Sequence, residues 1–350
     1  MGRACLFVAA VLSGVVASVG GPAGAWMEPG TFNQSGNVLI ADQFNNRVIE
    51  VDPKGTIVWS WGLGPHDFSA NSPLGVNDSE RVGNDTLISA TGIPPKADPY
   101  CKKGCADNRV LLVDPSGNIM WQYGQFGVTG NGPDELNAPV QSTWTPKKTV
   151  YITDQGNQRV IEVDMEKNIL WQYGTTGVSG SGFDELNSPN SAEVLANGNI
   201  LIADEGNNRV IEVQKSSKNV VATWTAQGTM NAPAFASLLP SGQILVTDGG
   251  NNRIITLDKG DNIKFQYVTN AQQGSNPNPA PSRAVKTMNG KIVISDQFND
   301  RVVVIDAKQN LLVQYGNLSS AGYGTTSTEQ GLFAPYDAKV IGDYTGLTSP

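Results

Sequence analysis

Short apolar runs alternate with polar positions along the chain, and the runs recur in a fixed order. The run Arg-Val-Ile-Glu-Val stands at 47–51, 159–163 and 209–213, and related runs begin at Arg109, Arg253 and Arg301. Alternation with a period of two is typical of a half-buried strand. An apolar segment precedes each run, a segment with aromatic residues two positions apart follows most of them, and a fourth run begins at or just after a proline. Each unit therefore predicts four short strands.

One unit is longer than the others because it carries an insertion. Asp42 and Arg47 are five positions apart, whereas the matching Ala90 and Arg109 are nineteen apart. The 14 extra residues contain Cys101 and Cys105. Without them every unit has a length close to the roughly 40–50 residues of a propeller blade.

Six such units predict an all-β protein, a six-bladed β-propeller of four-stranded antiparallel blades. The tail at 332–340 has the pattern of an inner strand, but no Asp-x-x-Asn-x-Arg phrase follows it. The first unit, in turn, has only a weak candidate for its own inner strand. We expect the C-terminal strand to complete the first blade, because closure leaves the ring without a free strand edge.

The repeated aspartates and arginines are interpreted as structural, since five near-identical copies cannot all form one active site. An arginine fork binds a carboxylate in a bidentate pair, and such a pair can hold a loop between strands. The predicted structural residues are Asp42, Arg47, Arg109, Asp154, Arg159, Asp204, Arg209, Asp248, Arg253, Asp296 and Arg301, and the second unit lacks the aspartate.

The phrase Asp-x-x-Asn-x-Arg-Val and the glycine-rich linkers at 124–139 and 174–189 resemble NHL repeats. The resemblance covers nearly all of the chain after residue 25 and implies the propeller fold. It implies less about activity, because NHL-like propellers include binding platforms and lyases, and related six-bladed folds include metal-dependent hydrolases.

The N-terminal residues 1–25 are predicted to be a signal peptide. Arg3 supplies positive charge, an apolar stretch follows, and Ala23-Gly24-Ala25 fits a small-x-small cleavage site. A membrane anchor is the alternative, but the stretch is short for a spanning helix. We expect residues 26–350 to form a monomeric propeller, secreted or periplasmic, with no membrane span. In such an oxidising compartment, Cys101 and Cys105 are predicted to form a disulfide.

The charge balance argues against nucleic acid as a partner. The net charge is −8, and no run of basic residues is longer than the two of Lys102-Lys103. Nucleic-acid-binding proteins usually present a basic face to the phosphate backbone.

The positions that break the repeat are the candidates for binding. The two residues that directly follow the proline at the start of each inner strand differ from unit to unit. These prolines are Pro73, Pro139, Pro189, Pro233, Pro281 and Pro335. We expect the variable residues at the mouth of the central channel, on the face where the long loops gather, as a mixed polar and aromatic pocket. The predicted binding residues are Gln141, Asn190, Phe235, Arg283 and Asp337. Neutral variation in a solvated channel is the alternative.

The predicted function is that of a binding scaffold for a protein, peptide, glycan or small molecule, without catalytic residues or a cofactor. His66 is the only histidine, so a zinc lyase with several histidine ligands is excluded. The alternative is a hydrolase or lyase of the gluconolactonase and paraoxonase kind with calcium on the axis. Its oxygen donors are predicted to be Asn77, Asp78, Asn190, Glu193 and Asp337.

Overall fold

A computed structural model describes residues 25–28, 30–324 and 331–343. The predicted signal peptide, apart from Ala25, lies outside the described residues. Within them the chain forms six antiparallel sheets around one axis, each a blade of a propeller, so the predicted all-β six-bladed fold is confirmed. The described part of the chain has no helix long and apolar enough to cross a membrane.

The strands are short, and in blades two to six they follow chain order from the axis outwards, whereas blade one runs from the last strand of the chain through its second, third and fourth strands to its first. Blade one contains β1 (Ala25–Met27), β2 (Val38–Asp42), β3 (Arg47–Val51) and β4 (Ile57–Trp61), together with the last strand of the chain, β25 (Pro335–Val340). Blade two contains β5 (Val76–Val82), β6 (Asp85–Ile93), β7 (Cys105–Val113) and β8 (Ile119–Tyr123), and blade three contains β9 (Pro139–Trp144), β10 (Val150–Asp154), β11 (Arg159–Val163) and β12 (Ile169–Tyr173). Blade four contains β13 (Pro189–Val194), β14 (Ile200–Asp204), β15 (Arg209–Val213) and β16 (Val220–Trp224), and blade five contains β17 (Pro233–Leu238), β18 (Ile244–Asp248), β19 (Arg253–Leu257) and β20 (Ile263–Val268). Blade six contains β21 (Arg283–Lys286), β22 (Ile292–Asp296), β23 (Arg301–Ile305) and β24 (Leu311–Gly316).

The C-terminal strand closes the ring as predicted. β25 pairs with β2 in antiparallel register, with Ala338 opposite Ile40. Blade one also has a fifth strand that the sequence pattern did not indicate. β1 pairs with the outer edge of β4, and β4 is buried along its whole length.

Blade two has a different register from the one expected for it. In blade two, Val76 pairs with Ala90 and Asp78 with Ser89. The corresponding pairs in blade one are Pro335 with Asp42 and Asp337 with Ala41, so Val76 is equivalent to Pro335 and Asp78 to Asp337. In this unit the sequence pattern predicts Leu74 and Gly75, directly after Pro73, at the two channel positions, but Asn77 and Asp78 occupy them. The prediction was wrong because the counterpart of the inner-strand proline in blade two is Val76, three positions after Pro73.

The insertion in blade two extends a hairpin. β6 and β7 continue past the usual end of the blade, where Ile93 pairs with Cys105. The predicted disulfide between Cys101 and Cys105 is present, with the two Cα atoms 5.9 Å apart. The disulfide therefore closes the tip of the longest connection between a second and a third strand.

The aspartate and arginine of each repeat form a buried ion pair. The distances between arginine Nε and aspartate Oδ2 are 2.9 Å for Arg47 and Asp42, 2.8 Å for Arg159 and Asp154, 2.7 Å for Arg209 and Asp204, 2.6 Å for Arg253 and Asp248, and 2.8 Å for Arg301 and Asp296. In four of these five blades the second oxygen of the aspartate accepts a backbone N–H from the incoming loop, such as Asn137 N at 2.8 Å from Asp154 Oδ1, and the exception is Asp296 in blade six. The pair thus attaches a turn of its blade to the loop that leads into that blade.

Blade two attaches its incoming loop with an aspartate on its third strand, whereas the aspartate in the other blades is on the second strand. Asp107, on β7, pairs with Arg109 at 2.5 Å and accepts the backbone N–H of Leu74 at 2.8 Å. Asp107 was not predicted because it precedes its arginine by two positions, whereas the aspartate in the other blades precedes its arginine by five.

Candidate functional site

The six inner strands project alternate side chains towards the axis, because residues two apart on a strand share one face. The upper layer, nearer the long loops, consists of Asp78, Gln141, Ser191, Phe235, Arg283 and Asp337, and the layer below it of Glu80, Thr143, Glu193, Ser237, Val285 and Lys339. None of these twelve side chains belongs to an exposed residue. The axis is therefore closely packed at both levels.

Part of the upper layer is a chain of hydrogen bonds from blade to blade. Asp337 accepts the backbone N–H of Ser79 at 3.1 Å, and Asp78 accepts that of Ser142 at 3.1 Å. Gln141 accepts the N–H of Ala192 at 2.7 Å in the same way. The pattern is interrupted at two neighbouring blades, because neither Phe235 nor Arg283 carries a side-chain acceptor.

Arg283 lies at the centre of a buried charge cluster. Its Nη2 lies 2.8 Å from Asp78 Oδ1 and its Nε 2.7 Å from Asp337 Oδ1. Its guanidinium carbon lies 4.2 Å from the ring centroid of Phe235, a cation–π contact. Lys339 Nζ lies 2.7 Å from Asp78 and 3.0 Å from Asp337, so each carboxylate contacts both cations.

Burial and the two cations shift the pKa values of the cluster's acids in opposite directions. Burial by itself raises the pKa of Asp337, but Arg283 and Lys339 outweigh it and hold the pKa below the usual value. Burial lowers the pKa of Lys339, and the carboxylates of Asp337 and Asp78 outweigh that effect and raise it. At the other acids burial dominates: it raises the pKa of Asp78 although that carboxyl contacts both cations, raises the pKa of Glu80 to about 8, and raises that of Glu193 well above its usual range.

A second polar network closes the channel mouth above these layers. Tyr336 on blade one donates a hydrogen bond of 3.0 Å to Asn190 on blade four. Asn190 in turn donates to Glu205 at 2.7 Å. On the other side of the mouth, Gln43 donates to Asn77 at 2.8 Å and accepts from Gln297 at 2.8 Å. Both networks are made of side chains from different blades, so they tie the ring together where the channel would open.

The five residues predicted to bind a ligand come together around the axis, but Asn190 is part of this network and the other four lie beneath it. Gln141, Asn190, Phe235, Arg283 and Asp337 are at most 6% exposed. They form a closed cluster where we expected a shallow open pocket. Their role in ligand binding stays a prediction.

The sequence analysis did not single out Lys339 or Glu80 as members of the cluster. Lys339 follows Asp337 by two positions and therefore points to the same side of β25, which is the signal that identifies it. Glu80 was missed for a different reason, since the register of blade two had been assigned wrongly.

The candidate calcium donors do not fit a calcium centre in this arrangement. Asp78 and Asp337 contact Arg283 and Lys339, so a divalent cation there would meet two positive charges. Asn190 is bonded to Tyr336 and Glu205, and Asn77 accepts from Gln43. Glu193 accepts the backbone N–H of Leu238 at 3.2 Å, and burial raises its pKa well above the usual range, which favours the neutral acid. Among the described residues no cluster of three or more histidine, cysteine, aspartate or glutamate side chains has a geometry that could hold a metal.

The face that carries the long loops is rich in exposed aromatic side chains. The four most exposed aromatic residues in the described ranges are Tyr100 and Phe183 at 69%, Tyr323 at 51% and Phe298 at 41%. All four lie in connections between a second and a third strand or between two blades, and both kinds of connection emerge on this face. His66 is on the same face, with its ring 4.6 Å from that of Tyr100. We call this surface the long-loop face.

Several solved structures share the architecture at low sequence identity. A protein of unknown function from Bacteroides caccae matches with a TM-score of 0.56 and 14% identity, over 80% of this chain and 93% of its own. Virginiamycin B lyase from Staphylococcus aureus matches with a TM-score of 0.52 and 13% identity, over 85% and 84%. A nidogen/laminin complex matches with a TM-score of 0.52 and 13% identity, over 79% and 92%. No protein-family model and no curated protein sequence matches the chain. These likenesses establish the propeller fold.

Proposed function

We propose that the chain is an exported NHL-type propeller that binds a protein partner through its long-loop face. The observation that carries this proposal is the distribution of exposed aromatic residues. Tyr100, Phe183, Phe298 and Tyr323 all lie on the long-loop face, and the opposite face has tight turns. Aromatic side chains are enriched at the energetic centres of protein interfaces.

The closed axis supports a partner that lies across the face more than one that enters the channel. The mouth is bridged by Tyr336 and Asn190, and the charges below it are already paired. In this proposal Gln141, Phe235, Arg283 and Asp337 form the rigid floor of the binding face. The disulfide between Cys101 and Cys105 stabilises the insertion at its rim, and it is compatible with an extracellular or periplasmic location.

Site-specific photo-crosslinking tests the proposal. The photoreactive residue p-benzoylphenylalanine replaces Phe183 or Phe298 on the long-loop face, or Met288, which is 75% exposed on the opposite face. We expect a defined adduct with one protein of the host envelope or secreted fraction from the first two positions and none from the third. Adducts formed only from position 288 would contradict the proposal.

An axial lyase or hydrolase is the second candidate. The observation that favours it is the pair of buried glutamates with raised pKa, Glu80 and Glu193, close to Arg283 and Lys339. Strongly shifted pKa values are common among catalytic acids and bases. Assays with esters, lactones and virginiamycin B, on the purified chain and on its Glu193→Gln variant, test this candidate. Turnover that Glu193→Gln abolishes would favour the enzyme over the scaffold.

A further inference from the structure

A cleft of about 390 Å³ lies in the seam between blade six and blade one, away from the axial cluster. Its wall on blade one is apolar and is formed by Ile40, Ile49, Val51 and Ile57. Tyr315 of β24 and Leu332 border it on the side of blade six, and Lys54 and Gly55 lie at the turn between β3 and β4. Its volume is within the roughly 300–1,000 Å³ of small-molecule sites.

Three other seams of the propeller are sealed by an indole at the same strand position, and the seam between blades four and five is sealed by Trp224, two positions further along its strand, whose Nε1–H donates to Asp258 O at 3.2 Å. Trp59, Trp121 and Trp171 stand at the centres of β4, β8 and β12, and each donates Nε1–H to a backbone carbonyl in the next blade. The acceptors are Pro115 O at 3.0 Å, Met165 O at 2.9 Å and Lys215 O at 3.0 Å. The indole thus combines apolar packing with one directed hydrogen bond.

Blade six has a small side chain at this position. Val313 pairs with Val304 on β23, as Trp171 pairs with Glu162 on β11 and Trp121 with Leu112 on β7. The next residue on the same face is a tyrosine in all three cases, namely Tyr315, Tyr173 and Tyr123. Blade six therefore keeps the tyrosine but has Val313 in place of the tryptophan, and the cleft lies in the seam between blade six and blade one.

The hydrogen-bond acceptor for an indole is retained in blade one. The three acceptors, Pro115, Met165 and Lys215, each stand two positions after the last residue of β7, β11 or β15. The residue at this place after β3 is Pro53, which follows Asp52, and its turn has the same closing bond from the Asp52 N–H to the carbonyl of Thr56 at 2.9 Å. Lys54 and Gly55 of this turn border the cleft.

We propose that this cleft binds a planar aromatic ring with an N–H donor, of the indole class, from a molecule outside the chain. The ring occupies the place that Trp59, Trp121 and Trp171 fill in the other seams, and its N–H donates to the carbonyl of Pro53. The exposed Lys54 at the edge of the cleft adds a preference for a ligand whose ring carries a carboxylate. The cleft lies in the seam between two blades, and Asn317 and Leu332 of the connection between β24 and β25 border the end of it that is nearer the long-loop face.

Titration with 5-fluoroindole followed by ¹⁹F NMR tests this inference. We expect saturable binding to the unaltered protein and at least tenfold weaker binding to Val313→Trp, in which the protein supplies its own indole. Leu312→Trp is the matched control, because Leu312 is on the other side of the same strand and is 44% exposed. It is expected to bind as tightly as the unaltered protein. Val313→Phe replaces Val313→Trp if the larger side chain prevents folding.

The converse substitution gives a second, independent test. Trp171→Val removes an indole from the seam between blades three and four and is expected to create a second site for 5-fluoroindole. Trp121→Val serves the same purpose in the preceding seam if Trp171→Val does not fold.

Indole-3-acetate is expected to bind about threefold more tightly than indole, because its carboxylate can pair with Lys54 as in an exposed ion pair. Lys54→Ala is expected to remove this difference in affinity. The inference is overturned if the unaltered protein shows no saturable binding, or if Val313→Trp binds 5-fluoroindole undiminished. Either result leaves the proposed function untouched.

Discussion

Tyr336 on the last strand of the chain donates a hydrogen bond of 3.0 Å to Asn190 on the opposite side of the ring. Blade one and blade four are separated by two blades on either side, so this bond crosses the channel mouth. The strand that closes the propeller therefore also closes its channel.

The bond between Tyr336 and Asn190 contributes to stability. Tyr336→Phe removes the donor and leaves the amide oxygen of Asn190 without it, so we expect the free energy of unfolding to fall by about 1 kcal/mol. Urea denaturation measures the change. Tyr323→Phe, at a tyrosine that is 51% exposed, is the control and is expected to be neutral. Equal stability of the two variants would show that the hydrogen bond between Tyr336 and Asn190 does not stabilise the protein.

Removal of Arg283 is expected to destabilise the protein. Arg283→Ala leaves Asp78 and Asp337 with Lys339 as their remaining cation, and breaking a buried ion pair costs about 3–5 kcal/mol. Lys264→Ala breaks a solvent-exposed pair with Asp258 and is expected to cost at most about 1 kcal/mol. Chemical denaturation of both variants measures the difference. Similar midpoints would contradict the structural role of the axial cluster.

This expectation corrects one that follows from the sequence alone. A ring of variable residues at an open mouth predicts that Arg283→Ala affects a ligand and leaves the melting temperature unchanged. The variability of the ring was visible in the sequence, and the five residues do converge at the axis. Their burial was not visible, because it depends on the bond of Tyr336 to Asn190, two residues 146 positions apart.

The fold was more predictable than the site because its signals are local and repeated. Strand alternation and turn residues recur in every unit, so one irregular copy does not change the interpretation. Closure by β25 was predictable for the same reason, since an unmatched inner strand has only one place in a ring. The register of blade two and the role of Asp107 occur once each, and no second copy corrects a wrong alignment.

Asp107 is expected to be as important to blade two as Asp154 is to blade three. Each pairs with a buried arginine and accepts a backbone N–H of the incoming loop. Asp107→Ala and Asp154→Ala are therefore expected to lower the free energy of unfolding by similar amounts, about 3 kcal/mol. Asp114→Ala, in an exposed turn, is the control for urea denaturation. If Asp107→Ala behaves like this control, Asp107 is not a replacement for the missing repeat aspartate.

The raised pKa of Glu80 predicts a pH dependence of stability. Between its usual pKa of 4.5 and the folded value of about 8, the folded protein keeps a proton that the unfolded chain has lost. Its contribution to the free energy of unfolding therefore decreases as the pH rises through this range. Glu80→Gln stays neutral, so its stability relative to the unaltered protein is expected to increase from pH 5 to pH 8.

Denaturation at several pH values measures this difference. Glu166→Gln, at an exposed glutamate, is the control and is expected to show the same pH profile as the unaltered protein. A constant difference between Glu80→Gln and the unaltered protein would mean that Glu80 is ionised throughout.

The affinity of the partner captured by crosslinking, measured for Phe183→Ala, Phe298→Ala and Met288→Ala, tests the central claim most directly. If the long-loop face is the binding surface, each of the first two variants weakens binding by about 1 kcal/mol or more, with unchanged melting temperature. Met288→Ala, on the opposite face, binds as the unaltered protein does. Unchanged affinity in both phenylalanine variants, together with a loss in Met288→Ala, would contradict the account.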